Sequence, residues 1–283
     1  MNKQPKIFVL GANGMLGTYV SEHFKQQNYN VVEVTRNNID ITKVNKLQLY
    51  SWFERKALPN DVIINCAGVI KPQIDKLGDL NGILGNSVFP FLLANVCEEL
   101  KLKCIHITSD CVFSGNKGNY IENDLHDCTD VYGKTKSLGE PKNCTVIRTS
   151  IIGEEKINGR SLVEWIKKQK NGNANGYTTH FWNGVTCLEL AKIINKIIVG
   201  GMYWDGVKHI YSPNVVSKDE LLKSVNNIFN LNINISSIEA PRCDRSLSSI
   251  YDTSGKLCNK TIESQIEELF EFNICKTKIE MNG

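Results

Sequence analysis

Tyr132 and Lys136 stand four residues apart in a stretch whose pattern predicts a helix, and Ser109 ends the strand predicted before it. Four residues make about one helical turn, so the phenol and the ammonium share a face. A positive charge beside a phenol favours phenolate. The expectation is therefore a lowered Tyr132 pKa and a general acid or base working near neutral pH. A serine at the C-terminal end of a parallel strand can hydrogen-bond a substrate carbonyl, because ligands gather at that edge. Tyrosine and lysine one turn apart are common by chance, and the weight of the pair comes from a glycine loop upstream.

That loop is Gly11-Ala12-Asn13-Gly14-Met15-Leu16-Gly17, a GxxGxxG run between a predicted strand and a predicted helix. Glycines allow a sharp turn and a close approach of a pyrophosphate to the helix N-terminus, whose free N–H groups and dipole favour an anion. An NAD enzyme usually closes the second strand with an acid for the ribose hydroxyls. Here that place falls at Thr35-Arg36, with Glu33 earlier and inside the strand. Arg36 can pair with a 2′-phosphate, and no acid opposes it, so the expected cofactor is NADP(H).

The elements that must position these groups alternate. Strands are predicted at 7–10, 31–34, 62–65, 104–108 and 145–148, and helices at 15–27, 47–55, 91–100 and 131–140. Such alternation predicts an α/β fold with a doubly wound parallel sheet of the Rossmann type. After residue 151 the pattern loosens, with helices at 161–170, 187–199 and 218–229. The expected division is a dinucleotide-binding domain over 1–150 and a smaller substrate-binding domain over 151–283, interleaved with the first.

Composition narrows the class. The chain has 283 residues, 41% of them hydrophobic, enough for a substantial core. Its 33 basic and 30 acidic residues leave a net charge of only +3 with no block of one sign, so no nucleic-acid surface is expected. Ten scattered cysteines form no CxxC pair and no zinc-finger spacing with histidine, so free thiols are expected and no metal. The N-terminus has no signal-like apolar region, and no stretch is read as reaching the length of a membrane span. A cytoplasmic protein without membrane contact is expected.

The motifs GANGMLG, Asn65-Cys66-Ala67-Gly68, TSDCVFSG, YGKTK, VIRTS and GYTTHFWNGVT together resemble the extended short-chain dehydrogenase/reductases of the dTDP-4-dehydrorhamnose reductase type. The resemblance covers nearly the whole chain. It implies that Ser109, Tyr132 and Lys136 are catalytic. It implies that the cofactor is held by Gly11, Asn13, Gly14, Met15, Leu16, Gly17, Arg36, Cys66, Ala67, Gly68, Tyr132 and Lys136. The family's aspartate after the third strand, which meets the adenine, carries over to Asp40, with Ile41 beside it, and Asn86 becomes a nearby structural residue. For the nucleotide sugar the resemblance implies Ser109, Asp110, Cys111, His180, Trp182, Asn183, Arg242 and Arg245.

One departure matters. Where the family has Ser-Thr-Asp-Tyr, this chain has Thr108-Ser109-Asp110-Cys111. Cysteine here resembles GDP-fucose synthase, in which it takes part in epimerisation. It also resembles the reductases of UDP-2-acetamido-2,6-dideoxy-hexuloses, which rely on separate epimerases. The KGNY and HFWNGVT wording is closer to the second group. The implied activity is NADPH-dependent reduction of a UDP- or dTDP-linked 4-keto-6-deoxy-hexose. Its product would be a rhamnose-like or 2-acetamido-2,6-dideoxy sugar, such as N-acetyl-rhamnosamine, for glycans. A bifunctional epimerase-reductase using Cys111 and a silent NADP-binding regulatory subunit stay open, as does a homodimer.

Overall fold

The computed structural model describes residues 4–156 and 159–281. In chain order the first half runs β1 (Ile7–Leu10), α1 (Met15–Gln26), β2 (Val31–Val34), α2 (Lys46–Glu54), β3 (Val62–Asn65), α3 (Lys71–Leu77), α4 (Asp79–Gly82), α5 (Phe89–Glu99), β4 (Lys103–Ser109), α6 (Val131–Ser137) and β5 (Thr145–Thr149). A π-helical stretch, Ile83–Val88, joins α4 to α5, and a 3-10 turn, Asp110–Val112, follows β4. The second half adds β6 (Ile151–Ile152), α7 (Leu162–Lys168), β7 (Asn173–Tyr177), β8 (His180–Trp182), β9 (Val185–Thr186) and α8 (Cys187–Val199). It ends with β10 (Gly206–His209), β11 (Val216–Ser217), α9 (Lys218–Ile228), β12 (Asn234–Ile238), β13 (Cys243–Asp244), α10 (Thr253–Leu257) and α11 (Ile262–Met281).

Six strands form one sheet in the order β10-β5-β4-β3-β1-β2, and every pairing in it is parallel. The Rossmann-like α/β expectation holds. Successive side chains on a strand point to opposite faces. Ile7 and Val9 therefore join one core, with Val20 and Phe24 of α1 and Ile194 and Ile197 of α8. Phe8 and Leu10 join the other, with Leu49, Phe53 and Leu93. Burial on both faces explains why these strands read as continuous apolar runs. The chain crosses between its halves: α8 packs against α1, and β10 completes the sheet beside β5. A third core gathers Val163, Ile166, Trp182, Leu221, Val225 and Ile262 around the small sheet β11-β8-β13.

The helix predicted at 91–100 begins earlier. α5 starts at Phe89 and is fed by α4 and the π-helical stretch, and α3 precedes them. Pro72, Gly78, Gly82, Gly85 and Pro90 read as breakers. Pro72 falls in the first turn of α3, where a missing N–H costs nothing, and Pro90 follows directly on the π-helical stretch, where the regular hydrogen-bond ladder is already broken. Gly82 and Gly85 are needed for contact, since a Cβ would lie 2.9 Å from Ile74 and 2.6 Å from Val69. The expectation about membrane-span length also needs correction. Asp79–Glu99 is long and apolar enough by composition to cross a bilayer. Here 56% of its most apolar window is buried in the fold, as befits a core helix.

Candidate active site

The glycine loop is built as its sequence requires. Gly11 takes a positive φ of 73°, and a Cβ on Gly17 would stand 2.2 Å from the Gly11 carbonyl oxygen. Gly14 caps α1 without a side chain, and no acid occupies the first turn. The N-terminal N–H groups of a twelve-residue helix thus remain for an anion. Gly11, Asn13, Gly14, Arg36, Ile41, Cys66, Ala67 and Gly68 line one cleft of about 250 Å3. An adjoining cleft of about 400 Å3 is lined by Gly14, Met15, Leu16, Cys66 and Gly68 together with Ser109, Asp110, Cys111, Tyr132 and Lys136. The two share Gly14, Cys66 and Gly68, so they make one continuous trough along the C-terminal edge of the sheet. These residues fit an extended dinucleotide.

Asp40 follows β2, not the third strand, and lines a neighbouring cleft with Lys43 and Gln48, while Ile39 and Ile41 on either side of it line the first. Its carboxylate accepts from the Thr42 N–H at 3.0 Å and the Thr42 hydroxyl at 2.8 Å. Burial pushes its pKa up, but those bonds and the Arg36 charge outweigh burial and hold it below the usual carboxylate range.

Three devices aim the reacting groups. β4 and β5 end together at the Ser109–Thr149 pair, which puts Ser109 on the sheet edge. The Asp130 side chain caps α6 by accepting from the Gly133 N–H at 2.9 Å. Asn86 receives the Val69 N–H at 2.8 Å and donates to the Val69 carbonyl at 2.9 Å and the Thr135 hydroxyl at 3.2 Å. It thereby ties the loop after β3 to α6. Lys136 is buried against that loop: a Cβ on Gly68 would lie 3.1 Å from its Nζ.

The electrostatics correct the expected tuning of Tyr132. Burial, with the nearby Cys111 and Asp110 groups, pushes the phenol pKa up, and only a hydrogen bond with Ser109 pulls it down. The Lys136 Nζ lies against Gly68, and burial drops its own pKa to about 8. Tyr132 is thus held protonated at neutral pH, the state a proton donor needs. Cys111 is pushed up to about 12, first by burial and then by the Asp110 charge. Ser109 receives the Cys111 N–H at 3.1 Å and donates to Asp110 at 3.2 Å.

Of the remaining expected substrate residues, only Arg245 reaches this cluster, with Nη1 4.0 Å from Cys111 Sγ. Asn183 is buried and spent on the Leu247 backbone, donating to its carbonyl at 2.8 Å and accepting its N–H at 2.7 Å. Trp182 is buried in the third core. His180 donates to the Pro241 carbonyl at 3.0 Å, and Arg242 is an exposed partner of Asp244. Packing turns Asn183 and Trp182 to structural work, while His180 is half-buried and Arg242 is exposed. Lys218 was missed by sequence reading; burial lowers its pKa, and the Asp110 charge opposes this. Its signal was a lysine opening a helix, against the dipole. Nine cysteines are free thiols, and the side chain of Cys275 lies outside the described residues.

A parallel sheet with a glycine loop and a Ser-Tyr-Lys cluster at its C-terminal edge defines a protein of the short-chain dehydrogenase/reductase class. Residues 5–221 match the family model described as RmlD substrate binding domain, and the chain belongs to that family. It is 30% identical over 168 residues to the dTDP-4-keto-6-deoxy-D-glucose reductase of Streptomyces niveus, a match covering 56% of this chain and 55% of that protein. The chain thus spans about half the length of that relative. It is 27% identical to methionine adenosyltransferase 2 subunit beta of Rattus norvegicus, over 80% of this chain and 72% of that one. Its structure matches the dTDP-4-dehydrorhamnose reductase of Bacillus anthracis str. Ames, solved in complex with NADP, with a TM-score of 0.77 at 21% identity. That match covers 95% of this chain and 99% of the other and establishes the shared fold.

Proposed function

We propose that the protein is an NADPH-dependent 4-reductase of a nucleotide-linked 4-keto-6-deoxy-hexose. The observation that carries this reading is the meeting of Ser109, Tyr132 and Lys136 in one trough with the glycine cradle. The names of the family and of the Streptomyces niveus relative support the substrate class. NADPH, when bound, supplies the hydride that reduces carbon 4. Gly11, Gly14 and the α1 N-terminus hold its pyrophosphate, Arg36 meets its 2′-phosphate, and Lys136 holds its ribose. Ser109 hydrogen-bonds the substrate carbonyl oxygen and stabilises the charge that develops there. Tyr132 donates the proton to that oxygen.

The finer reading is a UDP-linked 2-acetamido sugar, supported by Cys111 and the HFWNGVT wording. NADPH oxidation across a panel of UDP- and dTDP-linked 4-keto-6-deoxy sugars, with hydroxyl or acetamido at carbon 2, tests both levels. Turnover confined to dTDP sugars with a 2-hydroxyl would remove the finer reading. The match to methionine adenosyltransferase 2 subunit beta over most of the chain supports a second reading, an NADP-binding regulatory subunit. NADPH binding without turnover of any panel member would favour that one.

A further inference from the structure

Asn65 and His106 interrupt the apolar runs of β3 and β4, and they stand opposite each other in register. Side chains alternate between the faces of a sheet, so this pair shares one face on strands about 4.8 Å apart. Neither residue is more than 1% exposed. Buried polar groups cost stability unless they are paired, and departures from local rules concentrate at functional places.

The hydrogen bonds of the pair run in one direction. Asn65 Oδ1 accepts the Ala67 N–H at 3.1 Å, just past the end of β3. The other end of the same amide, Nδ2, lies 2.9 Å from Nδ1 of His106. An NH2 group only donates, so Nδ1 accepts and the ring proton sits on Nε2. The Gly139 carbonyl acts on the ring in favour of a proton, although Nε2 makes no full hydrogen bond. Burial, then the Lys136 charge, lowers the ring's pKa to about 3 and keeps it neutral. The amide cannot turn over without setting its NH2 against the Ala67 N–H. The segment that it holds has little slack. A Cβ on Gly11 would stand 2.9 Å from the Ala67 N and Cα, and Gly68 lies against the Lys136 Nζ. Cys66 and Gly68 line both clefts of the trough, and Ala67 lines the first. Asn86 secures the far end of the segment at Val69.

We propose that His106 is a positioning residue for the cofactor: by accepting the Asn65 amide it holds Cys66-Ala67-Gly68 between the glycine cradle and Lys136. His106 lines neither cleft, so it acts through Asn65 alone. This rests on the cofactor reading of the trough and adds to it a residue of the sheet interior that no motif marked. Loss of the bond leaves a buried NH2 without a partner, a cost that the segment relieves by moving.

The test is fluorescence titration of NADPH into wild type, His106→Leu and His106→Asn, with urea denaturation alongside. Leucine nearly fills the space of the ring and cannot accept a hydrogen bond. Asparagine carries Oδ1 close to the place of Nδ1 and can accept, but it leaves the larger cavity. His106→Leu should weaken NADPH on the order of tenfold, the size of one buried amide set free. His106→Asn should recover most of that affinity even though it gives up more packing. Equal losses in the two variants report packing alone and overturn the assignment, as does undiminished affinity in both. If His106→Leu does not fold, the imidazole decides. In protein carrying isotope-labelled histidine, the magnetic-resonance signal that His106→Asn lacks should show a neutral ring with its proton on Nε2 at neutral pH. A proton on Nδ1 overturns the assignment and leaves the reductase reading standing. Wild type that binds no NADPH overturns the cofactor reading as well.

Discussion

Arg148 holds Glu140 by two hydrogen bonds, Nε to Oε1 at 3.0 Å and Nη2 to Oε2 at 2.6 Å, with both side chains more than nine-tenths buried. The same guanidinium donates to Nε2 of His126 and of His209, each at 2.8 Å. Both imidazoles are therefore acceptors there and carry their proton on Nδ1. From Nδ1 they donate to the Ser137 hydroxyl at 2.6 Å and the Ser248 carbonyl at 2.7 Å. Ser137 ends α6, so this clamp fixes the far end of the helix that presents Tyr132 and Lys136.

Glu140→Gln breaks the clamp and leaves Arg148 as a buried charge without its counter-ion. Removing one partner of a buried pair costs roughly 3–5 kcal/mol. Urea denaturation should show a loss of that order. A change under about 1 kcal/mol would mean that the two histidines and solvent compensate.

Lys136 gives a pH signature. Burial lowers its pKa from 10.5 to about 8, and the Glu140 charge partly opposes this. The ammonium is thus lost as pH rises through about 8, and in the proposed function its hold on the cofactor would fade there. Affinity for NADPH should fall above that pH, and Lys136→Met should flatten the limb. Glu140→Gln removes the charge that raises this pKa, so it should move the limb to lower pH. For stability the sign is opposite: the folded state binds fewer protons than the unfolded one between about 8 and 10.5, so the burial penalty eases as pH rises through that window. An unaltered pH profile in Lys136→Met would remove Lys136 from cofactor binding.

Tyr132→Phe removes only the transferable proton. Turnover should fall on the order of 10²–10⁴-fold, the range of a general acid, with NADPH affinity nearly unchanged. Retention of most activity would transfer the proton to another donor.

Cys111 is held far from thiolate at neutral pH, with a pKa pushed up to about 12. Epimerisation needs a base that takes a proton from a carbon beside the ketone, and such a thiol is poorly placed for it. Cys111→Ser should keep substantial reductase activity on a substrate of the correct configuration. Wild type in deuterated water should leave carbons 3 and 5 free of deuterium. Deuterium at either carbon, lost in Cys111→Ser, would make the enzyme bifunctional.

Arg36 is exposed at the mouth of the cofactor cleft. Arg36→Ala should weaken NADPH relative to NADH by about tenfold, with solvent screening limiting the effect. Equal losses for the two cofactors, measured by fluorescence titration, would show that Arg36 does not read the 2′-phosphate.

The sequence by itself determined the frame. Strands 7–10 and 62–65 and the helix 187–199 lie where their apolar patterns place them, because a strand buried on both faces is apolar throughout and a core helix repeats every 3.6 residues. The glycine loop was legible from its place between a strand and a helix, and with it the expectation that Ser109 ends a strand on the same edge while Tyr132 and Lys136 share a helix face. Only the tertiary structure decided that Asn183 and Trp182 turn inward, that Lys218 packs its ammonium over the Trp182 ring, and that Tyr132 is raised in pKa. Those outcomes depend on which groups share a desolvated space, and a dielectric environment assembled from distant segments leaves no local pattern in the chain.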